Sequence, residues 1–249
     1  MKYNIINLPE VDSTNEYAKK LAKEGAAHRT VVVAESQKAG KGRLGRSFDS
    51  KKGEGIYMSI LLRPDITASQ ASKLTLIAAV AVHEAIEQFC GIKTGIKWPN
   101  DIVVNGKKLC GILTEMSADC KGVRYVVVGI GVNVINKTFS DELSQIATSL
   151  YMLTGEEYSK TELIEAILTS FDKYYEKYIA CGCLSVIKDI YDKNLIHTGH
   201  IIKAINGNDV IQGVCKGIGD DGQLLVENEE GVKEIISGEI SVRGVYGYV

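Results

Sequence analysis

No stretch of the 249 residues approaches the roughly 18 consecutive apolar residues that a membrane-crossing helix needs. The N-terminus, MKYNIINLPEVDSTN, lacks the apolar core of a secretory leader. The six cysteines (Cys90, Cys110, Cys120, Cys181, Cys183, Cys215) include no CxxC pair and no regular spacing. CGC at 181–183, with His197 and His200 downstream, fits no common zinc pattern. Free thiols in a reducing, cytoplasmic setting are the simpler reading. An overall positive charge is missing too: the formal net charge is -2 and the pI about 6.1, unlike a general nucleic-acid binder. There is no internal repeat, low-complexity tract or floppy linker. What is present is ordinary for a soluble globular chain, 45% hydrophobic and 24% charged, and long enough for a main domain with a small appendage.

Against this background one segment stands apart. QKAGKGRLGRSF (37–48) alternates Gly40, Gly42 and Gly45 with Lys38, Lys41, Arg43 and Arg46, and no acid interrupts it. Local positive charge on an acidic chain suits a small anion in a pocket better than a polyanion across a face. GKGRLG fits the expression GxGxxG, but that dinucleotide fingerprint needs a helix opening directly after the glycines. Here RSFDSKKGEGIY leads into another strand, and GIGDDG (217–222) fits the same expression inside a β-rich tail. Neither Gly40-Lys41 nor Gly106-Lys107 is followed by Ser or Thr, which excludes a P-loop. Two readings remain for the segment. Its glycines let backbone N–H groups approach a phosphate or carboxylate while Arg and Lys supply charge, or it is a solvated surface loop.

The rest of the chain reads as alternating elements. VDSTNEYAKKLAKEG predicts a helix opened by a capping box of Ser13 and Glu16. TVVVAES predicts a buried strand, and GEGIYMSILLRP another that Pro64 stops. Helical spacing covers 69–90, short strands occupy GIKWPNDIVVNGKKLCGILTEMS around an NGKK turn, and VRYVVVGIGVNV adds one more. Helical patterns cover 141–153, 160–180 and 184–195. From about His197 short β runs alternate with NG, DDG and EEG turns, as in a small all-β barrel expected to pack on the main domain. The fold class expected is α+β: a mixed sheet flanked by helices over 1–196, then a small β-barrel over 197–249.

KWPND (97–101) sets the only tryptophan against a proline, with Asn100 and Asp101 following and Lys108 seven residues on. Asp with an amide can hold a metal or an amine, and a lysine entering an apolar strand wants an anion. An Asn-Asp turn beside a hairpin lysine explains the same residues without chemistry.

Taken together, DSTN (12–15), QKAGKGRLGR (37–46), KWPND (97–101), KKLCGIL (107–113) and GIGVN (129–133) resemble the biotin protein ligases in order and spacing. GDDGQLLVE and SGEISVR resemble that family's C-terminal, SH3-like module, so the resemblance spans essentially the whole chain. It implies two half-reactions. Biotin carboxylate attacks the α-phosphate of MgATP to give biotinyl-5′-AMP, and a lysine ε-amine on a biotin carboxyl carrier protein then displaces AMP. ATP, Mg²⁺ and biotin are implied, with no tightly bound prosthetic group and no membrane partner.

The resemblance also implies roles. Lys108 matches the lysine bridging biotin carboxylate and α-phosphate, Arg43 a lid arginine, and Asp101 a group orienting the acceptor amine, with a contact to Mg²⁺ open to it. Ser13, Thr14, Asn15, Gln37, Gly40, Lys41, Gly42, Ser59 and Gly111 match biotin-pocket positions, with Gly111 to Leu113 offering backbone contacts. Arg46, Phe48, Trp98, Asn100 and Asn133 match the nucleotide side, Trp98 as pocket wall rather than core. Two positions depart from the family: Lys41 stands where arginine is commoner, and Phe48 where tryptophan is usual. The first loses a bidentate fork and the second an indole N–H.

Some members carry a DNA-binding winged helix before DSTN. Only eleven residues precede Asp12, so no DNA partner is expected. A sheet edge leaves a homodimer open. Lipoate or octanoate ligases are the nearest alternative, and a catalytically silent biotin sensor another. A nucleic-acid-binding role for the tail is discounted, because Lys203, Lys216, Lys233 and Arg243 are outnumbered there by acids.

Overall fold

In the computed structural model, residues 3–120, 122–206, 209–236 and 241–244 are described. Strand β1 (Asn4–Leu8) and helix α1 (Thr14–Lys23) precede β2 (Thr30–Ala34) and β3 (Gly55–Leu62). Helices α2 (Ala68–Ser72) and α3 (Leu74–Cys90) lead to β4 (Gly95–Lys97), β5 (Asp101–Val104), β6 (Lys107–Asp119) and β7 (Gly122–Asn133). Then come α4 (Asp141–Ser144), α5 (Leu150–Thr154), α6 (Lys160–Cys181) and α7 (Lys188–Asn194). The tail holds β8 (Ile201–Asn206), β9 (Asp209–Ile218), β10 (Leu224–Asn228), β11 (Gly231–Ile235) and β12 (Ser241–Gly244).

The main sheet has seven strands in the order β1-β2-β3-β7-β6-β5-β4. Only β1–β2 is parallel, which makes the sheet mixed, as expected. Strand period two sorts its side chains between two faces. Ile56, Met58, Ile60, Cys110, Ile112, Val128, Ile130 and Val132 join the large core with α3 and α6. Leu61 and Val127 point the other way, into a smaller core under Ala18 and Ala22 of α1. Helices on both faces explain why GIYMSILL is buried at every position and reads as an unbroken run.

Several local expectations need correction. Ser13 does cap α1 by position, but its side chain makes no capping hydrogen bond, and Glu16 instead pairs with Lys19 and Lys41. A capping box does form at Thr67 and Gln70, opening α2. The helix read over 69–90 is two helices, and 141–153 contains two short ones. The run from 184 begins as a 3-10 turn (Leu184–Val186) before α7. Strand β1 was not expected, since NIINL carries no clear alternation.

The tail forms a five-stranded antiparallel sheet, ordered β11-β10-β9-β8-β12. It packs on the main body as expected: Ile202, Cys215, Ile218, Leu224 and Val226 belong to the same core as α3 and α6. Lys73 pairs with Asp221 at 2.6 Å, and the Trp98 indole N–H donates to the Gly222 carbonyl at 3.0 Å. The SGEI part of SGEISVR, 237–240, and residues 245–249 lie outside the described residues.

His197 sits at this junction, 2% exposed, and neither ring nitrogen has a hydrogen-bond partner among the described residues. Burial, with Lys97 and His200 adding repulsion, holds its pKa down at about 4. The unfolded chain binds this proton near pH 6.5 and the native chain does not, so the neutral ring's stability is full above that pH. It is lost as pH falls from 6.5 toward 4, by about 3 kcal/mol in all. Denaturant unfolding across that window should show the loss, and His197→Leu should flatten it.

Candidate active site

The first two motifs meet through backbone pairing. Lys38 N–H donates to the Val11 carbonyl at 2.9 Å and Ala39 N–H to the Asp12 carbonyl at 2.8 Å, which lays QKAG beside DSTN. The N-terminal N–H of α1, on Thr14, is met by Gln37 Oε1 at 2.8 Å, satisfying a helix-end donor with a side chain. Gln37 is fixed in turn by donating to Ser50 Oγ at 2.8 Å.

The glycine-cation segment is a hairpin. Lys41 bridges Ser47, Gly42 N–H donates to the Arg46 carbonyl at 2.7 Å, and Phe48 N–H to the Gly40 carbonyl at 2.9 Å. Its tip is a 3-10 turn, Arg43–Gly45, where Leu44 takes a left-handed φ of 56° and is 49% exposed. Gly40 tolerates no side chain: an added Cβ would lie 2.4 Å from the Phe48 carbonyl oxygen.

The hairpin folds over a floor of glycines. Gly111, Gly129 and Gly131 lie on the sheet face opposite the large core, with Gly111 paired to Gly131 across β6 and β7. The Phe48 ring rests where a Gly131 Cβ would be, 2.8 Å away, and near Gly111 at 3.4 Å. Asn15 covers Gly129 more tightly, at 2.2 Å from an added Cβ. The spacing of GIGVN is thus a strand pattern with flat-lying neighbours on one face. Gly129→Ala should displace Asn15 and weaken binding of biotin, the ligand that the sequence resemblance implies, about tenfold. Calorimetric titration with biotin decides this, and an unchanged affinity would contradict it.

Two adjoining cavities open under the hairpin. The first is lined by Ser13, Thr14, Asn15, Gln37, Lys41, Gly42, Leu113 and the glycine floor. The second is lined by Arg46, Trp98, Asp101, Asn133 and an apolar end of Phe139, Leu143, Ile146 and Ala147. Arg43, Phe48, Asn100 and Lys108 face both, so the predicted residues converge where the two meet. Ser59 lies one layer behind the first, fully buried and 2.8 Å from Thr14 Oγ1. Arg43, Arg46, Lys97 and Lys108 face Asp49 and Asp101 in the second, a surplus of positive charge suited to phosphates.

Lys108 reaches the junction because of a β-bulge. Asp101 pairs with Gly111 and Ile102 with Cys110, but Val103 pairs with Lys108, so Leu109 is the extra residue. Its backbone is held on both sides, N–H to the Ile146 carbonyl at 2.7 Å and carbonyl from Thr148 N–H at 2.9 Å. The Nζ stands 2.7 Å from Asp101 Oδ1 and 6.0 Å from the Phe48 ring centre. Arg43 donates to Asn100 Oδ1 at 3.3 Å. Burial pulls its guanidinium below the usual range while Asp101 opposes the shift. Asn100 donates to the Ile112 carbonyl at 2.8 Å, and Asn133 to the Thr148 carbonyl at 2.9 Å.

Trp98 is both core and wall: 2% exposed, tied to the tail by its N–H, with its ring on the second cavity. Lys41, at the position that departs from the usual arginine, pairs with Glu16. Two groups of residues were missed by sequence reasoning. Phe139, Leu143, Ile146 and Ala147 come from a stretch with no motif, and Glu115 lay unremarked within LTEMS. Cys181 and Cys183 touch each other, sulfurs 3.0 Å apart. No group of three His, Cys, Asp or Glu could hold a metal ion among the described residues. None of the described helices is long and apolar enough to cross a membrane.

Comparison with known proteins places this geometry. Residues 8–133 match the model of the biotin/lipoate A/B protein ligase family, and 197–243 that of the biotin protein ligase C terminal domain. The chain is 43% identical over 244 residues to the bifunctional ligase/repressor BirA of Bacillus spizizenii, covering 97% of this chain and 75% of that protein. It is 32% identical to the biotin–[acetyl-CoA-carboxylase] ligase of Paracoccus denitrificans, covering 95% and 100%. A solved structure of the Aquifex aeolicus biotin protein ligase with biotin and ATP superposes with a TM-score of 0.84 at 34% identity, covering 97% and 99%.

Proposed function

The chain belongs to the biotin/lipoate A/B protein ligase family, and from that premise we infer that it is an ATP-dependent biotin protein ligase. It activates biotin as biotinyl-5′-AMP and passes the biotinyl group to a lysine of a biotin carboxyl carrier protein. The observation that carries the residue assignment is the single lysine at the junction of two cavities, one small and walled by hydroxyls and amides, the other cationic with an apolar end.

In this reading the first cavity takes biotin and the second ATP. Ser13, Thr14, Asn15, Gln37 and the backbone of Gly111 to Leu113 surround the bicyclic ring, with Ser59 supporting Thr14 and Asn15 from behind. Phe48 and Trp98 wall the nucleotide side with Asn100 and Asn133, and Arg46 faces the phosphates. Lys108 lies where carboxylate and α-phosphate meet, and offsets the repulsion of two anions brought in line. Asp101, 2.7 Å from the Lys108 ammonium, is placed to orient the incoming lysine amine in the second half-reaction. Lys41 and Arg43 close the hairpin over the adenylate and keep water from the anhydride.

Mg²⁺ would arrive on the triphosphate. Asp101 and Asp49 are the carboxylates facing the second cavity, which fits an ion carried in by the substrate rather than a resident site. When bound, it supplies further charge neutralisation at the phosphates. In this reading a catalytic unit spans 1–196 and an SH3-like unit 197–249, the seven-stranded sheet falling in the first and the five-stranded sheet in the second.

The test is pyrophosphate release from MgATP with biotin, lipoate or octanoate as the acid. Release that depends on biotin alone supports the assignment. Release with lipoate would transfer the chain to the other branch of its family, and biotin binding without release would make it a sensor.

A further inference from the structure

The hydrogen bonds behind the first cavity do not balance, and a residue outside the motifs sets the imbalance. Asn15 Nδ2 carries two protons and has two acceptors, Glu115 Oε2 at 2.8 Å and the Leu113 carbonyl at 3.2 Å. Its oxygen is therefore turned inward, where Ser59 Oγ lies 2.6 Å away. At the other end Gln37 is fixed by Ser50 and by Thr14 N–H, so its Oε1 also faces the pocket as an acceptor. Between these two acceptors stand two hydroxyls, Ser59 and Thr14. The chain of contacts from Asn15 Oδ1 through Ser59 and Thr14 to Gln37 Oε1 has three links, of 2.6, 2.8 and 3.1 Å. Two hydroxyl protons cannot fill three links.

One donor is missing, and every arrangement of the two protons leaves an open lone pair within this chain. When Ser59 donates to Asn15, that lone pair falls on Thr14 or Gln37, both of which line the cavity. An N–H from the bound ligand completes the chain. Were Asn15 turned over, its Nδ2 would donate to Ser59, Ser59 to Thr14 and Thr14 to Gln37. All three links would then be filled and no ligand donor would be required. Turning it over places its oxygen against the Glu115 carboxylate and the Leu113 carbonyl, which repel it. Lys19 Nζ holds the other Glu115 oxygen at 2.8 Å and bridges to Glu16 at 2.6 Å, so the carboxylate is kept in place.

We propose that Glu115 is a specificity-determining, positioning residue: by fixing the Asn15 amide it leaves the pocket wall one proton short and so demands a ring N–H from its ligand. This rests on the reading that the cavity takes biotin, whose ureido ring carries two N–H groups. Glu115→Gln keeps the shape but can donate to Asn15 and so permits the turned-over amide.

The experiment compares biotin with an analogue in which one ureido N–H is replaced by ring oxygen, using pyrophosphate release. The wild-type chain should prefer biotin by about a hundredfold in kcat/KM, the penalty of leaving one buried acceptor unpaired. In Glu115→Gln the KM for biotin should rise about tenfold, with kcat and the KM for ATP nearly unchanged, and the preference should shrink below about tenfold. Glu115→Asp, which keeps an acceptor-only group, should retain the preference even if its KM rises. Should Glu115→Gln not fold, Lys19→Met gives a smaller shift in the same direction. An unchanged preference in Glu115→Gln, or in Lys19→Met where that variant takes its place, overturns the inference. Absence of biotin-dependent release in the wild-type chain overturns the functional assignment instead, so the two failures are separable.

Discussion

Lys108→Ala is expected to lower kcat/KM for biotin-dependent adenylate formation by about a thousandfold while leaving the chain folded. The size follows from two effects that add. On the proposed assignment the substitution removes the cation from the point where two anions approach in line. It also leaves the Asp101 carboxylate, now 2.7 Å from a cation, as a negative charge facing the same point. The folded state loses little, because the side chain is 28% exposed and the strand is held through backbone bonds to Ile146 and Thr148. A melting temperature within a few degrees of wild type should accompany the loss of pyrophosphate release. Lys108→Arg should recover only part of the rate, since a planar fork replaces a compact ammonium in a site shaped by a bulge. Near-normal adenylation by Lys108→Ala would remove the lysine from the chemistry.

Arg43→Gly should separate the two half-reactions. Arg43 lines both cavities and also the openings at the hairpin tip and beside the C-terminal sheet, so it stands where each would communicate with solvent. The hairpin keeps its backbone bonds from Gly42 to Arg46 and from Phe48 to Gly40, which no side chain supplies. Glycine at its tip therefore removes the guanidinium without dismantling the loop. A charge-assisted hydrogen bond to phosphate is worth about 2 kcal/mol, so the adenylate should leave tens of times faster. Biotin should then appear on lysines of an unrelated protein added to the reaction, with adenylate formation itself reduced far less. Retention of the intermediate as tight as in the wild-type chain would deny the hairpin its role as a lid.

Much of the fold was legible because periodicity and burial agree. TVVVA and GIYMSILL are continuous apolar runs since helices cover both faces of the sheet at β2 and β3. GIGVN reads correctly as a strand whose glycines sit under flat-lying side chains. Where tertiary contacts override local preference, the reading failed. Ser13 and Glu16 have the spacing of a capping box, yet Glu16 is drawn to Lys19 and to Lys41 across the cavity mouth, and the box forms at Thr67 instead. The apolar end of the second cavity comes from 139–147, residues whose only common property is where the chain carries them. Glu115 carried no signal, because its importance lies in which way it turns the amide of Asn15, a hundred residues away. The hairpin's cations alone left anion binding and a solvated surface loop both open, and only the family resemblance favoured the first; Arg43 lines both cavities and Arg46 the second.

That one chain makes an acyl-adenylate and then passes its acyl group to one lysine is tested most directly by incubating the protein with biotin and α-labelled MgATP, isolating the complex, and adding an unmodified biotin carboxyl carrier domain. The expected result is labelled biotinyl-AMP that stays with the protein until the carrier arrives, then free labelled AMP and one biotin on a single carrier lysine. Labelled adenylate that forms only with lipoate, or that persists after the carrier is added, would contradict the claim.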